Sequence, residues 1–433
     1  MKYILAHDLG TTGNKAILFR ADGQMQASHF VPYPTNYPHP GWVEQNPDHW
    51  QKALWEGTRS LLEKAQISGS DIAVISFSGH MNGALLVDKE GKPLRPAIIW
   101  ADQRAVKEEA FIRKGLGAER VYQITGNRIS PTYTAAKLLW VMMHEPDVYA
   151  QARYVLQAKD YAAFLFSGVF ATDPSDASMT LLYDLKQRRW SQEIIEALLL
   201  DASMLPPIYH SSTIIGQVKP DVAQETGLQA GTPVVIGGGD GACATVGAGV
   251  VEPGDVYNYI GSSSWVALTT PEPILDAQQR TFNIAHLVPG ANMAVGAMQS
   301  AGGALDWFEK LMRTDDGSHP DYQRLNQWAA MAPPGSNGLI FLPYLNGERS
   351  PWWNPQARGA FIGLGMQHGK NEITRAVMEG VACNLRMILH ILQSQGLPVQ
   401  HMRLIGGGGK SPVWRQILAD MYQLPIHRLA LPG

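Results

Sequence analysis

The sequence predicts an α/β protein of two domains with a cleft between them, and three observations carry that expectation. Its 433 residues exceed what one core usually organises. Short apolar runs rich in Val and Ile end in glycine and alternate with stretches of helical periodicity. A strand, a glycine followed by two hydroxyl residues, and a returning strand occur once near the start of each half, at Gly10-Thr11-Thr12 and at Gly261-Ser262-Ser263. The expected domains are 1–247 and 248–433.

From the N-terminus, Tyr3–Ala6 reads as a strand, followed by Asp8, Leu9, Gly10, Thr11, Thr12 and Gly13, and then a strand from Lys15 to Phe19. An Asp22-Gly23 turn leads into a third strand to about Phe30. The first turn offers amide N–H groups and two hydroxyls to an anion; a plain hairpin is the alternative. A P-loop is excluded, because GxxxxGK[ST] and the helix it opens are missing.

Asn46, Pro47 and Asp48 supply cap and first-turn chemistry for a helix read over Trp42–Leu62. A strand over Ile72–Phe77 runs into Ser78, Gly79, His80, Met81, Asn82 and Gly83, and a further strand passes through Leu86 to Asp88. His80 and Asn82 can hydrogen-bond sugar hydroxyls while Met81 packs against carbon, or the loop is only a polar turn. Pro96–Trp100 reads as a strand ending in Asp102 and Arg104, which either touch substrate or form an ion pair closing the strand end. Trp140 and Trp307 sit at helical spacing beside Leu and Val and read as core.

The stretch Pro233–Gly249 delivers an apolar run into three glycines, then Asp240 and small residues that can begin a helix. Glycines let a phosphate or sugar approach the main chain, since no Cβ intervenes. Asp240 is placed either to take a proton from a bound hydroxyl or to cap the helix. Gly237, Gly239 and Ala242 also fit a GxGxxA dinucleotide pattern, but Glu252, Pro253, Gly254 and Asp255 stand before the next strand where a Rossmann unit needs a different continuation.

In the second half Val256–Ile260 and Trp265–Leu268 read as strands around the Gly261–Ser264 turn. Two such hairpins facing each other would hold a polyphosphate. Leu342–Leu364, dense in Pro, Gly, Asn and Trp, reads as an ordered connector. Glu372–Leu392 has Ile373, Ala376, Val377, Val381, Leu385, Ile388 and Leu392 on one helical face. A strand, Met402–Ile405, feeds Gly406–Gly409 and Lys410, after which Ser411 as N-cap and Pro412 open a last helix with Trp414, Ile417, Leu418 and Met421 on its apolar side. The glycines offer a nucleotide ring a flat surface. A Walker A fit fails, because Leu404 stands where the first glycine is needed.

Composition narrows the function classes. A formal net charge of −3 gives no footprint for nucleic acid, and no Lys/Arg cluster suggests an anionic membrane. Cys243 and Cys383 are the only cysteines and lie among small or apolar residues, so they read as buried free thiols with no metal-ligand spacing. Without a signal-peptide pattern or a run long enough to span a bilayer, a cytoplasmic location is expected.

DLGTT at Asp8–Thr12, GGGD at Gly237–Asp240, GSS at Gly261–Ser263 and IGGGGKS at Ile405–Ser411 look like the nucleotide-site motifs of the actin-like ATPase superfamily. Within it the chain resembles the FGGY carbohydrate kinases. Gly359, Phe361, Gly363, Leu364, Glu372, Ile373, Ala376, Val377 and Glu379 match the family's C-terminal signature, and Lys137, Leu138 and Trp140 its N-terminal one less completely. Lys159-Asp160-Tyr161, Asp173, Ser175, Asp176 and LPYLNGERSP resemble the xylulose-phosphorylating branch.

The resemblance implies two ribonuclease H-like domains that bind ATP and Mg2+ and phosphorylate a small sugar, with no nucleic-acid or membrane partner and a homodimer left open. It implies Asp240 as the base, and His80, Met81, Asn82, Asp102 and Gly241 with it at the sugar. Asp8, Gly10, Thr11, Thr12, Gly261, Ser262, Ser263, Gly302, Gly303, Gly407, Gly408 and Lys410 would meet the nucleotide, Asp8 holding the metal through water. D-xylulose is the expected sugar, with ribulose, another ketose, a polyol or a sugar acid as alternatives. That branch typically shows QMHG where this chain has His80-Met81-Asn82-Gly83, and Asn where it has Gly241. The family also continues beyond the segment matching Leu424–Leu429, so a truncated, weakly active sugar binder is a second expectation. A chaperone-type or actin-like ATPase would need a polymer or peptide interface, of which the sequence gives no sign.

Overall fold

Alternation in YILAHDL gives the first strand, β1 (Tyr3–Leu9), two unlike faces, one of which buries Leu5, His7 and Leu9 completely. The computed structural model describes residues 2–312, 320–394 and 396–429. They divide into two compact units, Met1–Ala244 with Ile284–Gly290, and Thr245–Asn283 with Ala291–Gly433.

In the first unit β1 pairs antiparallel with β2 (Gly13–Arg20), and β2 with β3 (Met25–Pro32). Helix α1 (Pro47–Ala65) starts five residues later than the sequence suggests. Asn46 accepts a bond from the Asp48 amide and Pro47 occupies the first helical position, so the helix cannot extend back towards Trp42. Its Trp50, Leu54, Leu61 and Leu62 are buried, each contributing about 1.5–3 kcal/mol through lost apolar exposure. His7 ties the layers together: its ring bonds Asn14 of β2 and Thr58 of α1, and burial holds it neutral, its pKa down at about 4.

Strand β4 (Ile72–Gly79) pairs parallel with β1. Helices α2 (Thr134–His144), α3 (Ala158–Ser167) and α4 (Pro174–Ser178) follow. Strand β5 (Ile214–Gln217) runs antiparallel to β6 (Pro233–Val235), which is parallel to β4, and the short β7 (Gly238–Gly239) adds to the end of β4. The order is β5-β6-β4-β1-β2-β3, and α5 (Asp240–Gly247) leaves from β7.

The second unit repeats the scheme. Strands β8 (Val256–Ile260), β9 (Ser264–Thr270) and β10 (Asn292–Met298) are successively antiparallel; helices α6 (Gly302–Leu311) and α7 (Lys370–Gln393) follow. Strand β11 (Met402–Ile405) then lies parallel to β8, and after α8 (Pro412–Tyr422) strand β12 (Ile426–Arg428) lies parallel to β11. Beside the edge strand Phe282–Ala285, which pairs with β10, the order β10-β9-β8-β11-β12 is the counterpart of β3-β2-β1-β4-β6, the repeat that two ribonuclease H-like domains require.

Helix α7 buries Ala376, Val377, Val381, Leu385, Ile388 and Leu392 of the stripe read from its periodicity, whereas Ile373 in its first turn is half-buried. Ser411 caps α8 by accepting from the Trp414 amide, and the Trp414 indole reaches the Met378 carbonyl at 3.2 Å. The cysteines differ from expectation. Cys243 is half-buried and Cys383 exposed, because 100° per residue turns Cys383 to the outer side of α7 although Ala382 and Asn384 beside it are buried. Trp140 is buried as core, whereas Trp307 is half-buried against Phe341. Among the described residues no helix is long and apolar enough to cross a membrane.

Candidate active site

Strands β1, β4 and β7 run parallel, so their carboxyl ends gather on one edge of the first sheet, where ligands of α/β proteins are usually found. Asp8 stands at the end of β1 and accepts a 2.9 Å bond from the Ser78 hydroxyl of β4. The β1–β2 turn is held by its carbonyls. Gly10 O accepts from the Tyr33 hydroxyl at 2.6 Å, and Thr11 O from Gln45 Nε2 at 2.7 Å and Thr35 at 3.2 Å. Thr12 O accepts from the Tyr33 amide at 3.1 Å, and the Thr11 hydroxyl from the exposed Trp100 indole at 2.9 Å. The Gly10 amide is spent on Gly13 O at 3.0 Å, so with these carbonyls taken the Thr11 and Thr12 amides are the groups of the turn that can meet an anion.

Beside it, Asp240 follows Gly239 at the end of β7. A Cβ on Gly239 would come within 2.5–2.7 Å of the Met81 side chain, so the close approach requires glycine. Met81 is thus seated against the main chain next to Asp240. One carboxylate oxygen of Asp240 accepts from the Gly241 amide at 2.7 Å, and helix α5 begins at Asp240 itself, so the residue stands in the first turn rather than as the cap before it. Asp240 is exposed to water on one flank. Crowding by protein and then the charge of Asp8 push its pKa up to about 7, against the pull of the Gly241 N–H. Water screens part of that repulsion, but both leading causes act in one direction.

His80 is buried with neither ring nitrogen bonded to a described protein group, its ring edge-on to Trp50. Burial, then the neighbouring Lys137 charge, lower its pKa to about 4, so it is a neutral imidazole. Asn82 adopts φ +62°, a left-handed conformation that Asn tolerates, and its carbonyl accepts from Lys137 Nζ at 2.6 Å. Lys137 is fully buried and also donates to Ile99 O at 2.8 Å. Burial lowers its pKa to about 7, with Asp102 opposing. Asp102 is fully buried, paired through two oxygens with Arg104 and accepting from the Val43 amide. The ion pair left open by the sequence is therefore present. The Arg104 guanidinium lies 3.8 Å from the Trp42 ring centroid.

In the second unit the Gly261–Ser263 turn sits at the carboxyl end of β8. Gly261 O and Ser262 O accept from the first amides of α6, Gly302 and Gly303, at 2.8 and 2.9 Å. A Cβ on Gly302 would fall 2.4 Å from Gly261 O, so this contact too requires glycine. Gly407, Gly408 and Lys410 follow β11, the parallel neighbour of β8, at the same sheet end. Gly408 lies against the Ile260 side chain, and Gly407 is open to solvent.

Sequence reasoning missed the supports: Ser78 on Asp8, Trp100 on Thr11, Lys137 on Asn82. The one signal that could have found a member is the lysine in AAKLLWVMM, a charge within an apolar helix. Among the described residues no group of three or more His, Cys, Asp or Glu is arranged to hold a metal.

Two family models match. Residues 3–247 match the N-terminal domain of the FGGY family of carbohydrate kinases, and residues 256–431 its C-terminal domain. The chain is 37% identical to the xylulose kinase of Escherichia coli (strain K12), over 96% of this chain and 84% of that one. It is 31% identical to the gluconokinase of Bacillus subtilis (strain 168), over 98% and 83%. The crystal structure of a xylulose kinase from Rhodospirillum rubrum superposes with a TM-score of 0.91 at 31% identity, covering 100% of this chain and 87% of that one.

Proposed function

This chain belongs to the FGGY family of carbohydrate kinases, and on that premise we propose that it transfers the γ-phosphoryl group of ATP to a terminal hydroxyl of D-xylulose. The observation that carries the reading is Asp240, a carboxylate raised to about 7 beside Asp8 at the joint ends of β1, β4 and β7. A base tuned near neutral pH accepts a hydroxyl proton efficiently while remaining ionised often enough to act.

In this scheme Asp240 removes the proton as the sugar oxygen attacks phosphorus in line. Met81 supplies an apolar contact, and Asn82, His80 and the Gly241 segment meet the other hydroxyls. Trp100, exposed and fixed by its bond to Thr11, adds an apolar wall. The Asp102–Arg104 pair closes the strand end behind the loop. Thr11 and Thr12 amides, with Gly10 between strand and turn, receive phosphate oxygens. Gly261, Ser262 and Ser263, backed by Gly302 and Gly303, serve the nucleotide phosphates; Gly407, Gly408 and Lys410 serve the nucleoside.

Two carboxylates and no dense ligand cluster suit a hard cation that keeps most of its waters. Asp8 would hold Mg2+ in that way. When bound, the ion offsets charge on the phosphoryl oxygens.

The 31% identity with a gluconokinase makes a sugar acid the second reading. An ADP-coupled assay over D-xylulose, D-ribulose, xylitol and D-gluconate tests both. The highest kcat/KM is expected with D-xylulose. A gluconate preference would replace the first reading by the second, and nucleotide hydrolysis indifferent to any sugar would remove both.

A further inference from the structure

A cluster of buried charge lies directly beneath the Asp240 strand end. Lys159 Nζ contacts Asp160 Oδ1 at 2.5 Å, Asp173 Oδ1 at 3.1 Å and Asp176 Oδ2 at 3.1 Å, and no member's side chain is more than 1% exposed. One ammonium facing three carboxyl groups leaves an excess of negative charge out of water. Burial raises the Asp176 pKa well above the carboxylate range against the pull of Lys159; burial lowers that of Lys159, but the neighbouring carboxyl groups together outweigh it and hold it well above the usual lysine value. Such clusters are expensive for stability, and apolar side chains of similar volume often do better. Stability alone therefore does not account for this one.

Its connections do. Asp173 caps α4 and receives four donors besides Lys159: the Ser175 and Asp176 amides, the Ser175 hydroxyl at 2.6 Å and the Ser211 hydroxyl at 2.7 Å. Because the Ser175 hydroxyl gives its hydrogen to Asp173, its lone pairs are turned outward, and they accept the Gly239 amide at 2.9 Å. Gly239 is the residue before Asp240. On the neighbouring strand, a Cβ on Gly79 would stand 3.1–3.2 Å from the backbone nitrogen and Cβ of Lys159, so β4 rests on the cluster next to Ser78.

We infer that the Lys159–Asp160–Asp173–Asp176 cluster is a positioning device for the candidate base Asp240, and that Ser175 is the positioning residue through which it acts. The inference rests on the phosphoryl-transfer reading of Asp240. Charge pairing fixes Asp173, Asp173 fixes the rotor of Ser175, and Ser175 fixes the main chain that carries the carboxylate.

The test compares Ser175→Ala with Ser211→Ala in the full chain. Each removes one hydroxyl from Asp173, but only the first frees the Gly239 amide. The Ser175 variant is expected to lose roughly 10- to 100-fold in kcat with sugar KM within about threefold of the parent, while the Ser211 variant keeps most of its kcat at a similar Tm. Ser175→Cys, whose sulfur is a poor acceptor, is expected to show the same selective fall and answers the question if the alanine variant does not fold. Retention of kcat within about twofold in a folded Ser175 variant, or an equal fall in both serine variants, overturns the inference. Asp240→Asn is run alongside. Activity there sinks the reading of Asp240 itself, whereas its loss with an intact Ser175→Ala sinks only the positioning.

Discussion

The turn at Gly10–Thr12 and the turn at Gly261–Ser263 occupy the same place in two sheets of the same strand order, yet they are held by different means. The first is secured by side chains from elsewhere in its unit, Tyr33, Thr35, Gln45 and Trp100, and it stands beside two carboxylates. The second is secured at its own carbonyls by main chain, through the α6 amides on Gly261 O and Ser262 O, while Asn258 and Ser264 side chains tie the strands that flank it, and no acid borders it in sequence between Ile260 and Leu268. A backbone clamp fixes geometry with little to adjust. A side-chain clamp lets acids be introduced and tuned. On the proposed reading, one scaffold thus serves chemistry at one turn and grip at the other.

The sharpest way to break this contrast is Asp240→Asn, expected to lower kcat by roughly 10²–10⁴-fold with the nucleotide KM changed only a few-fold, as read in the coupled assay. A variant with parental kcat would place the chemistry elsewhere. Its stability carries a sign as well. The folded pKa of about 7 lies above the ordinary aspartate value of 3.8, so protonation stabilises the fold at low pH and that contribution is lost as pH rises through 7. Asp240→Asn is therefore expected to melt above the parent at pH 8 and level with it near pH 4.

Next in size, kcat/KM of the parent should rise with pH and level off above about 7, falling by about tenfold per unit on the acid side. A profile flat from pH 5 to 8 would separate the activity from Asp240. Gly302→Ala attacks the other turn. Its methyl would sit 2.4 Å from Gly261 O, and an overpacking penalty of about 1–3 kcal/mol is expected to raise the nucleotide KM roughly tenfold and leave the sugar KM unchanged. An equal rise in both would mean that the second turn is not specialised.

Smallest is Tyr33→Phe, which removes only the bond to Gly10 O. A loss of about 1 kcal/mol is expected in thermal unfolding, with a change of a few-fold in nucleotide KM. An effect as large as that of Gly302→Ala would show that the side-chain clamp is as unforgiving as the backbone one.

Both turns and Asp240 were legible in the sequence because their requirements are local: glycine for close approach, hydroxyls after it, a strand on either side. Helix α7 and the Ser411-Pro412 cap were legible for the same reason. What holds the turns was not. Gln45 lies 34 residues and Trp100 89 residues from Thr11, and the Lys159 cluster reaches Gly239 through Ser175, 64 residues away. Adjacency of that kind is created by sheet order and leaves no local pattern. Asp102 illustrates the limit. Its residue type suited either a sugar contact or an ion pair, and its burial beside Arg104 is a property of the folded chain. Cys383 shows the reverse error, where neighbours along the chain stood in for neighbours in space.

The return of Ile284–Gly290 to the first unit has a bearing on synthesis. Ala285 N donates to the Ser178 hydroxyl, and Leu287 lies where a Cβ on Gly238 would be. The ribosome must therefore have extruded the opening strands of the second sheet before the first unit can finish closing over its own Asp240 strand. Excision at residue 247 would separate the leading half from the seven-residue patch that completes it, so halves expressed apart and mixed are expected to aggregate rather than reassemble.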